Sequence, residues 1–208
     1  MRKIDLMSLR HWPTLIAMPV LLALPGCISL GGPPPESLLT LSPTARAPAG
    51  AGADAGPAIP VIAVQTIATP AKLDVLRVPV AVSDTELAYL QDAFWVEKPA
   101  RLFRSLLGET LRARGGALVL ANDETVALPT VSLRGSLIDM GYDARASAVV
   151  VRFDAIRIDD AGATGTRRFE ASETGVPADA RAVGTALNRA ANTVAGEVAD
   201  WVAGVTRP

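Results

Sequence analysis

The chain has 208 residues, 20 basic and 21 acidic side chains, one histidine and one cysteine. This near-neutral balance argues against nucleic acid as a partner. Half the residues are apolar and only 4% are aromatic, which fits an Ala/Val/Leu-rich α/β protein and excludes a disordered chain.

Residues 1–10 carry Arg2, Lys3 and Arg10 against one acid, Asp5, and residues 12–24 are apolar apart from Thr14. That layout is a secretory signal, too short and too interrupted by Pro13, Pro19 and Pro25 for a membrane-spanning helix. It closes on Leu24-Pro25-Gly26-Cys27. Leucine at −3, glycine at −1 and then cysteine make a lipobox, although Pro25 stands where Ala, Ser or Thr is usual. The expectation is cleavage between Gly26 and Cys27, with acyl chains of the palmitate type on the Cys27 sulfur and its freed amino group. An ordinary signal peptide, or an uncleaved anchor with an incidental cysteine, is the alternative. An intrachain disulfide is excluded because no second cysteine exists. Each buried CH₂ contributes roughly 0.8 kcal/mol, so several acyl chains anchor firmly where one does not. Ile28, in place of an aspartate that tends to retain lipoproteins at the inner membrane, favours the outer membrane.

The leader holds three bases and one acid, so its removal leaves 182 residues with 17 basic and 20 acidic side chains. The remainder has no histidine and no cysteine besides Cys27. Ser-His-Asp and Cys-His nucleophilic sites go with them, as does every His- or Cys-ligated metal site. Lys72 and Lys98 are the only lysines left for a Ser-Lys dyad. Paired-carboxylate chemistry stays open.

The expected divisions are the leader 1–26, a lipidated N-terminus with a first short strand and flexible linker over 27–58, and a domain over 59–208. Residues 29–35 are a Gly/Pro-rich spacer, 37–41 (SLLTL) the first strand, and 42–60 a loop or flexible linker. Residues 59–67 are β-branched and apolar, as in a strand buried on both faces. Residues 71–82 contain Leu73, Asp74 and Arg77 and then an extended piece, which Pro79 confines to an edge or a loop. Residues 86–90 read as a short strand. Pro99 opens a helix over 99–114, where its missing N–H costs nothing. Leu102, Phe103, Leu106, Leu107, Thr110 and Leu111 form that helix's apolar stripe, and Gly115-Gly116 stops it.

Strands over 117–120, 130–140 and 147–159 follow, with a turn at 139–145. A slip of the apolar phase to Ile156 and Ile158 predicts a bulge near Asp154-Ala155. Residues 159–162 turn, and 166–173 return as the hairpin partner. The last helix, from 179 to about 204, carries Val183, Leu187, Ala190, Ala191, Val194, Val198, Trp201, Val202 and Val205 at a 3.6-residue period. The class is α/β (α+β): a small mixed, largely antiparallel sheet with two main helices packed on one face.

Trp95-x-Glu97-x-Pro99 admits two readings. It is a contact site, with indole area and a carboxylate at a positive helix start, or a buried anchor with a capping glutamate. Asp74 and Arg77 form an i,i+3 pair or face a partner. Asp159 and Asp160 precede Ala-Gly, and a turn role outweighs catalysis. The stripe of the last helix is core, or one wall of a lipid groove between helices and sheet. Gly31-Gly32 and Gly115-Gly116 are spacer and helix stop, not phosphate loops.

From Cys27 almost to its end the chain resembles the ABC-type transport auxiliary lipoprotein component family, the PqiC-like lipoproteins. The carriers are Leu38-x-Thr40-Leu41, Val61 to Val64 followed by Pro70-x-x-Leu73-Asp74-x-x-Arg77, and Trp95-x-Glu97-x-Pro99. Leu106, Leu107, Glu109 and Leu111 on the next helix, the strand ending at Asp159 and the Ala/Val-rich closing helix complete the order. Ser37-Leu38 stands where the family often has tyrosine pairs. The resemblance implies a non-enzymatic docking subunit on the periplasmic face of the outer membrane. Its partners would be an MCE-domain substrate-binding protein with a permease and an ATPase, in a system that moves lipid between membranes. It implies no cofactor beyond the lipid on Cys27, and is compatible with ring-like self-association. A lipid carrier with its own cargo and an envelope-tethered hydrolase are the competing readings.

Overall fold

The structure, a computed structural model, describes residues 37–50, 59–121 and 128–206. All of them belong to the second of the chain's two units, Pro35–Pro208. The leader, Gly26, Cys27, the spacer at 29–35 and the linker residues 51–58 lie outside the described residues. The elements run β1 (Val61–Val64), β2 (Arg77–Ala81), β3 (Leu87–Phe94), α1 (Pro99–Arg114), β4 (Leu118–Leu120), β5 (Val131–Asp143), β6 (Ala148–Asp159), β7 (Thr164–Thr174) and α2 (Ala180–Thr206). They form one mixed seven-stranded sheet and two helices packed on it and on each other.

β5 is the spine. β6 pairs antiparallel along its whole length, and β7 pairs with β6 beyond. On the other flank β1 and β2 both run parallel to β5, Ile62 opposite Val131 and Val80 opposite Tyr142. They are two halves of one interrupted strand. After Ala68 bridges Ser136 the chain loops outward at Pro70, which lacks the N–H a ladder needs. A 3-10 turn at Ala71–Leu73 then buries Leu73 completely. β4 completes one end against β1, and β3 the other against β2.

β2 is therefore an inner strand, and Pro79 is not confined to an edge. It is accommodated because the ladder to β5 begins only at Val80 and the register to β3 breaks between Arg77 and Pro79. Gly141 makes the room: a Cβ there would stand 2.6 Å from the Pro79 carbonyl oxygen. The irregularity lies in β3, which is longer than its apolar pattern shows and passes through Asp92 at φ 54°. β5 likewise continues to Asp143, past the expected turn at 139.

The bulge expected near Asp154-Ala155 is elsewhere. β6 keeps one register with β7 throughout, and the extra residue is on β5, between Leu137 and Asp139. Val149, Val151, Phe153 and Ala155 simply continue inward, so Ile156 faces solvent on the opposite side of the sheet. Strand alternation, not a phase slip, explains the isoleucines.

The inward face meets the two helices. All six predicted stripe residues of α1 are buried. On α2, Val183, Leu187, Ala190, Ala191, Val194, Val198 and Val202 are buried and Trp201 partly so, joined by Ala186, Ala195 and Ala199. Phe103 of α1 meets Phe153 of β6 at 5.1 Å between ring centroids, and Phe169 meets Trp201 at 5.8 Å. Thr110 is the one buried polar side chain among the described residues, and it donates to the Leu106 carbonyl.

The outward face carries cross-strand ion pairs: Arg152 with Glu170 and Arg168 with Asp154, each pair directly opposite in register. The Arg168 hydrogen bonds hold the Asp154 carboxyl below the usual carboxylate range, and Arg152 does the same to Glu170. A depressed carboxyl stabilises the fold fully above its unfolded value and loses that contribution as pH falls through the folded one. The double variant Asp154→Asn, Glu170→Gln should be less stable than the parent at neutral pH and lose less on acidification below about pH 4; denaturant titrations across pH test this. A Cβ on Gly135 would collide with the Phe153 ring and the Asp154 backbone carbonyl, whereas nothing lies within 4 Å of one on Gly204. Gly135→Ala should therefore cost about 1–3 kcal/mol in chemical denaturation, and Gly204→Ala should leave the midpoint unchanged or slightly raised.

Candidate functional site

The described part of the N-terminal segment is a strap, and it meets the domain at one corner. Leu39 makes an isolated parallel bridge with Trp95 rather than a full strand. Its N–H donates to the Phe94 carbonyl at 2.7 Å and its carbonyl accepts from the Val96 N–H at 2.9 Å. Its side chain lies over α2 where only a glycine fits, since a Cβ on Gly184 would stand 2.6 Å from Leu39 Cδ2. From there the strap follows α2. Asn188 accepts from the Ser42 N–H at 2.8 Å, and Asn192 accepts from the Thr44 N–H at 2.8 Å while donating to the Ser42 carbonyl. It ends on α1, where Glu109 accepts from the Ala47 N–H. The loop read from residue 42 onward is thus a loop, but one tied to both helices over its described length.

Trp95 closes the corner from inside. It is 1% exposed, its N–H donates to the Leu76 carbonyl, and its indole Nε1 has no hydrogen-bond partner. Pro99 is buried at the first turn of α1. Of the two readings of the Trp95-x-Glu97-x-Pro99 motif, the buried anchor describes the tryptophan. Glu97 does not cap the helix: the N-cap, Lys98, has no side-chain cap bond, and Glu97 accepts from Arg101 one turn on at 2.9 Å.

Asp74 and Arg77 do not pair with each other. Asp74 pairs with Lys98 at 2.7 Å. Arg77 stacks its guanidinium between the rings of Tyr89 and Phe94, at 5.4 and 5.3 Å, with its Nε buried and unpartnered. A bend at 74–76 and the start of β2 at Arg77 separate the two side chains that helical spacing would have brought together. Asp159 accepts from the Ala163 N–H in the β6–β7 turn, the structural role expected of it.

Among the described residues, two cavities lie beside the sheet. One, of about 210 Å³, lies on the outward face and holds Lys72, Asp139, Asp143, Arg145 and Arg152. Its cations are all engaged: Lys72 with Asp139, Arg145 with Asp84 and Asp143, Arg152 with Glu170. The other, about 440 Å³, lies at the β7–α2 junction beside the ion pair of Arg189 and Glu173. Among the described residues no cluster of three His, Cys, Asp or Glu could hold a metal. Between helices and sheet, where a lipid groove was expected as one alternative, Phe103, Leu107, Leu133, Leu137 and Phe153 fill the space at 0% exposure.

Sequence reasoning missed the strap's ligands. Asn188 and Asn192 stand four apart in a helix otherwise rich in Ala and Val, and that spacing was the available signal. It also missed Leu38, Leu76 and Val96, which remain exposed around the corner, because their surroundings come from three separate segments.

The family model for the ABC-type transport auxiliary lipoprotein component matches residues 39–199. No curated protein matches the chain. The crystal structure of protein XCC0632 from Xanthomonas campestris, assigned to the family DUF330, is similar with a TM-score of 0.66 at 17% identity, over 82% of this chain and 96% of that one. The crystal structure of an uncharacterized protein is similar with a TM-score of 0.61 at 15% identity, over 69% and 92%. At these identities the likeness speaks to the fold alone.

Trp95→Ala should cost about 3–5 kcal/mol in denaturant unfolding. Trp95→Phe keeps an aromatic ring, removes the orphan indole donor and should cost clearly less. Asn188→Ala with Asn192→Ala should leave the core intact and speed amide exchange of Ser42 and Thr44 selectively.

Proposed function

The chain belongs to the ABC-type transport auxiliary lipoprotein component family, and on that premise we propose that it is a non-enzymatic docking subunit. It sits on the periplasmic face of the outer membrane, held by acyl chains on Cys27. It receives the periplasmic end of an MCE-domain substrate-binding protein, whose permease and ATPase drive lipid between the two membranes. The observation that carries this reading is the family match across nearly the whole described domain. Its residues act as a scaffold: Trp95, Pro99 and Arg77 brace the tethered corner from within, while Asp74 and Glu97 stand on its surface in ion pairs.

The far end of α2 suits a protein partner. Leu39 packs at Gly184, and Trp201 is seventeen residues further along the helix, about 25 Å away. There Arg157 stacks on Trp201 and Arg167 on Phe169, each at 5.0 Å, and neither has an acidic partner among the described residues. Arg157 keeps its Nε and Nη1 buried, whereas Arg167 is exposed, and an acidic partner surface would supply the charge that Arg167 lacks.

The lipidated chain on vesicles should capture the soluble periplasmic part of an MCE-domain protein, and Arg167→Glu should weaken capture about tenfold or more. Cys27→Ala should leave the fold unchanged and move the protein from the membrane to the soluble fraction. Absence of capture by the parent chain would refute the docking role. One non-covalent lipid per chain in native mass spectrometry would favour a carrier instead.

A further inference from the structure

Three strands border the sheet among the described residues, and two of them are poor templates for another strand. β4 has only three residues. β3 is distorted at Asp92, and the strap occupies its end through Leu39. β7 differs. Its 11 residues keep one unbroken register with β6, contain no proline, and pair with nothing on their other side among the described residues. A long, regular free edge is a template for a further strand, and proteins usually blunt it.

The open backbone groups of β7 follow from the ladder. Antiparallel residues alternate between exchanging both bonds with the strand opposite and directing them away. The Asp159 N–H donates to the Ala163 carbonyl at the head of the hairpin, so the odd-numbered residues of β7 bond to β6. The Asp160 N–H donates to the Thr130 carbonyl, which turns the even-numbered residues of β6 toward β5, in agreement. Thr166, Arg168, Glu170 and Ser172 therefore aim their N–H and C=O groups at the open edge. Their side chains are exposed and lie on the outward face with Arg152 and Asp154.

We propose that β7 pairs antiparallel with β7 of a second copy, about a two-fold axis that passes through residue 169 perpendicular to the sheet. Charge complementarity selects this occupant and this register. With residue 169 opposite itself, Arg168 faces the partner's Glu170, and Glu170 faces the partner's Arg168. Thr166 faces the partner's Ser172. Opposite charges and hydroxyl pairs are favourable cross-strand neighbours. An axis at 168 or 170 instead sets two arginines or two glutamates face to face. The pairing also extends ion pairs already present. Asp154, Arg168, the partner's Glu170 and the partner's Arg152 make one row of alternating charge across both sheets. Within one chain the Arg168 and Glu170 side chains stay 61% and 45% exposed, which leaves room for the second neighbour. Arg167 stacks on Phe169 on the helix side and stays outside this row. The contact is isologous and closes at two copies. It uses neither Cys27 nor the corner where the strap enters, so it stands apart from the docking role.

Sedimentation of the full chain in excess detergent micelles tests the pairing. The parent should be dimeric at tens of micromolar. Arg168→Glu and Glu170→Arg should each weaken dimerisation about tenfold or more, because like charges then meet twice in each dimer. An equimolar mixture of the two variants should recover the dimer, since every glutamate then meets an arginine. Ser172→Pro removes one edge N–H, a change an edge strand tolerates, and should give monomers. In the parent, amide exchange at 166, 168, 170 and 172 should slow about tenfold or more as concentration rises through the dimer range.

A parent that stays monomeric at hundreds of micromolar would overturn the inference and leave Arg168 and Glu170 as guards of an edge. So would an oligomer indifferent to both charge reversals, or a mixture that stays monomeric while its components keep the parent's circular dichroism. Should the variants unfold, exchange in the parent decides: fast exchange at the even positions at the highest concentration overturns the pairing. Slowing that appears only when the MCE-domain protein is added would give the edge to a strand of that protein, and would also overturn self-pairing.

Discussion

The strap's backbone must find hydrogen-bond partners outside itself, and the domain provides them one by one. Leu39 exchanges two bonds with Phe94 and Val96, the Ser42 and Thr44 N–H groups donate to Asn188 and Asn192, and the Ala47 N–H donates to Glu109. An irregular segment against a protein surface leaves its N–H and C=O groups costly unless each is paired. Asparagine is a mediocre helix former, and two of them four apart in α2 make sense through the bonds they supply. The side chain of Leu39, seated over Gly184, adds an apolar pin. Sheet, first helix and second helix are all joined to the same short stretch of chain. Any pull from the N-terminal side is therefore delivered to the core itself.

The rest of the architecture is built for stiffness. β5 and β6 run paired over their full lengths, and the helices fill one face with small side chains, Ala and Val on α2 facing Leu and Phe on α1. Arg114 ties the end of α1 to Asp200 on α2 at 3.0 Å. The opposite face is held by opposed charges that satisfy one another across strands. What the described domain offers is a packed span between the corner where the strap enters and a far end where Arg157 and Arg167 have no acidic partner among the described residues. That arrangement suits a subunit whose work is to hold two things at a set separation.

Elements with strong periodicity could be read from the chain directly. The bounds of α1 and the buried stripes of both helices follow from side-chain spacing, because a helix face repeats locally and no distant residue is needed to define it. Strands were readable where alternation was clean, as in 147–159. The misreadings came where distant contacts decided. Pro79 lies inside the sheet because the register to β3 breaks beside it and the ladder to β5 begins only after it. The glutamate at 97 prefers Arg101 to the helix end, and where a bend gives way to β2 Asp74 goes to Lys98 while Arg77 goes between two rings. Trp95 is interior, as the anchor reading of its motif has it, and the exposed Leu38, Leu76 and Val96 belong to separate segments of the chain.

The proposed docking role requires residue 27 to be the acylated anchor. The mass of the N-terminal peptide of the protein extracted from bacterial envelopes tests this most directly. The account predicts a chain beginning at Cys27 and heavier than its sequence by the glyceride and acyl groups on sulfur and nitrogen. An unmodified peptide that begins at another residue would contradict it.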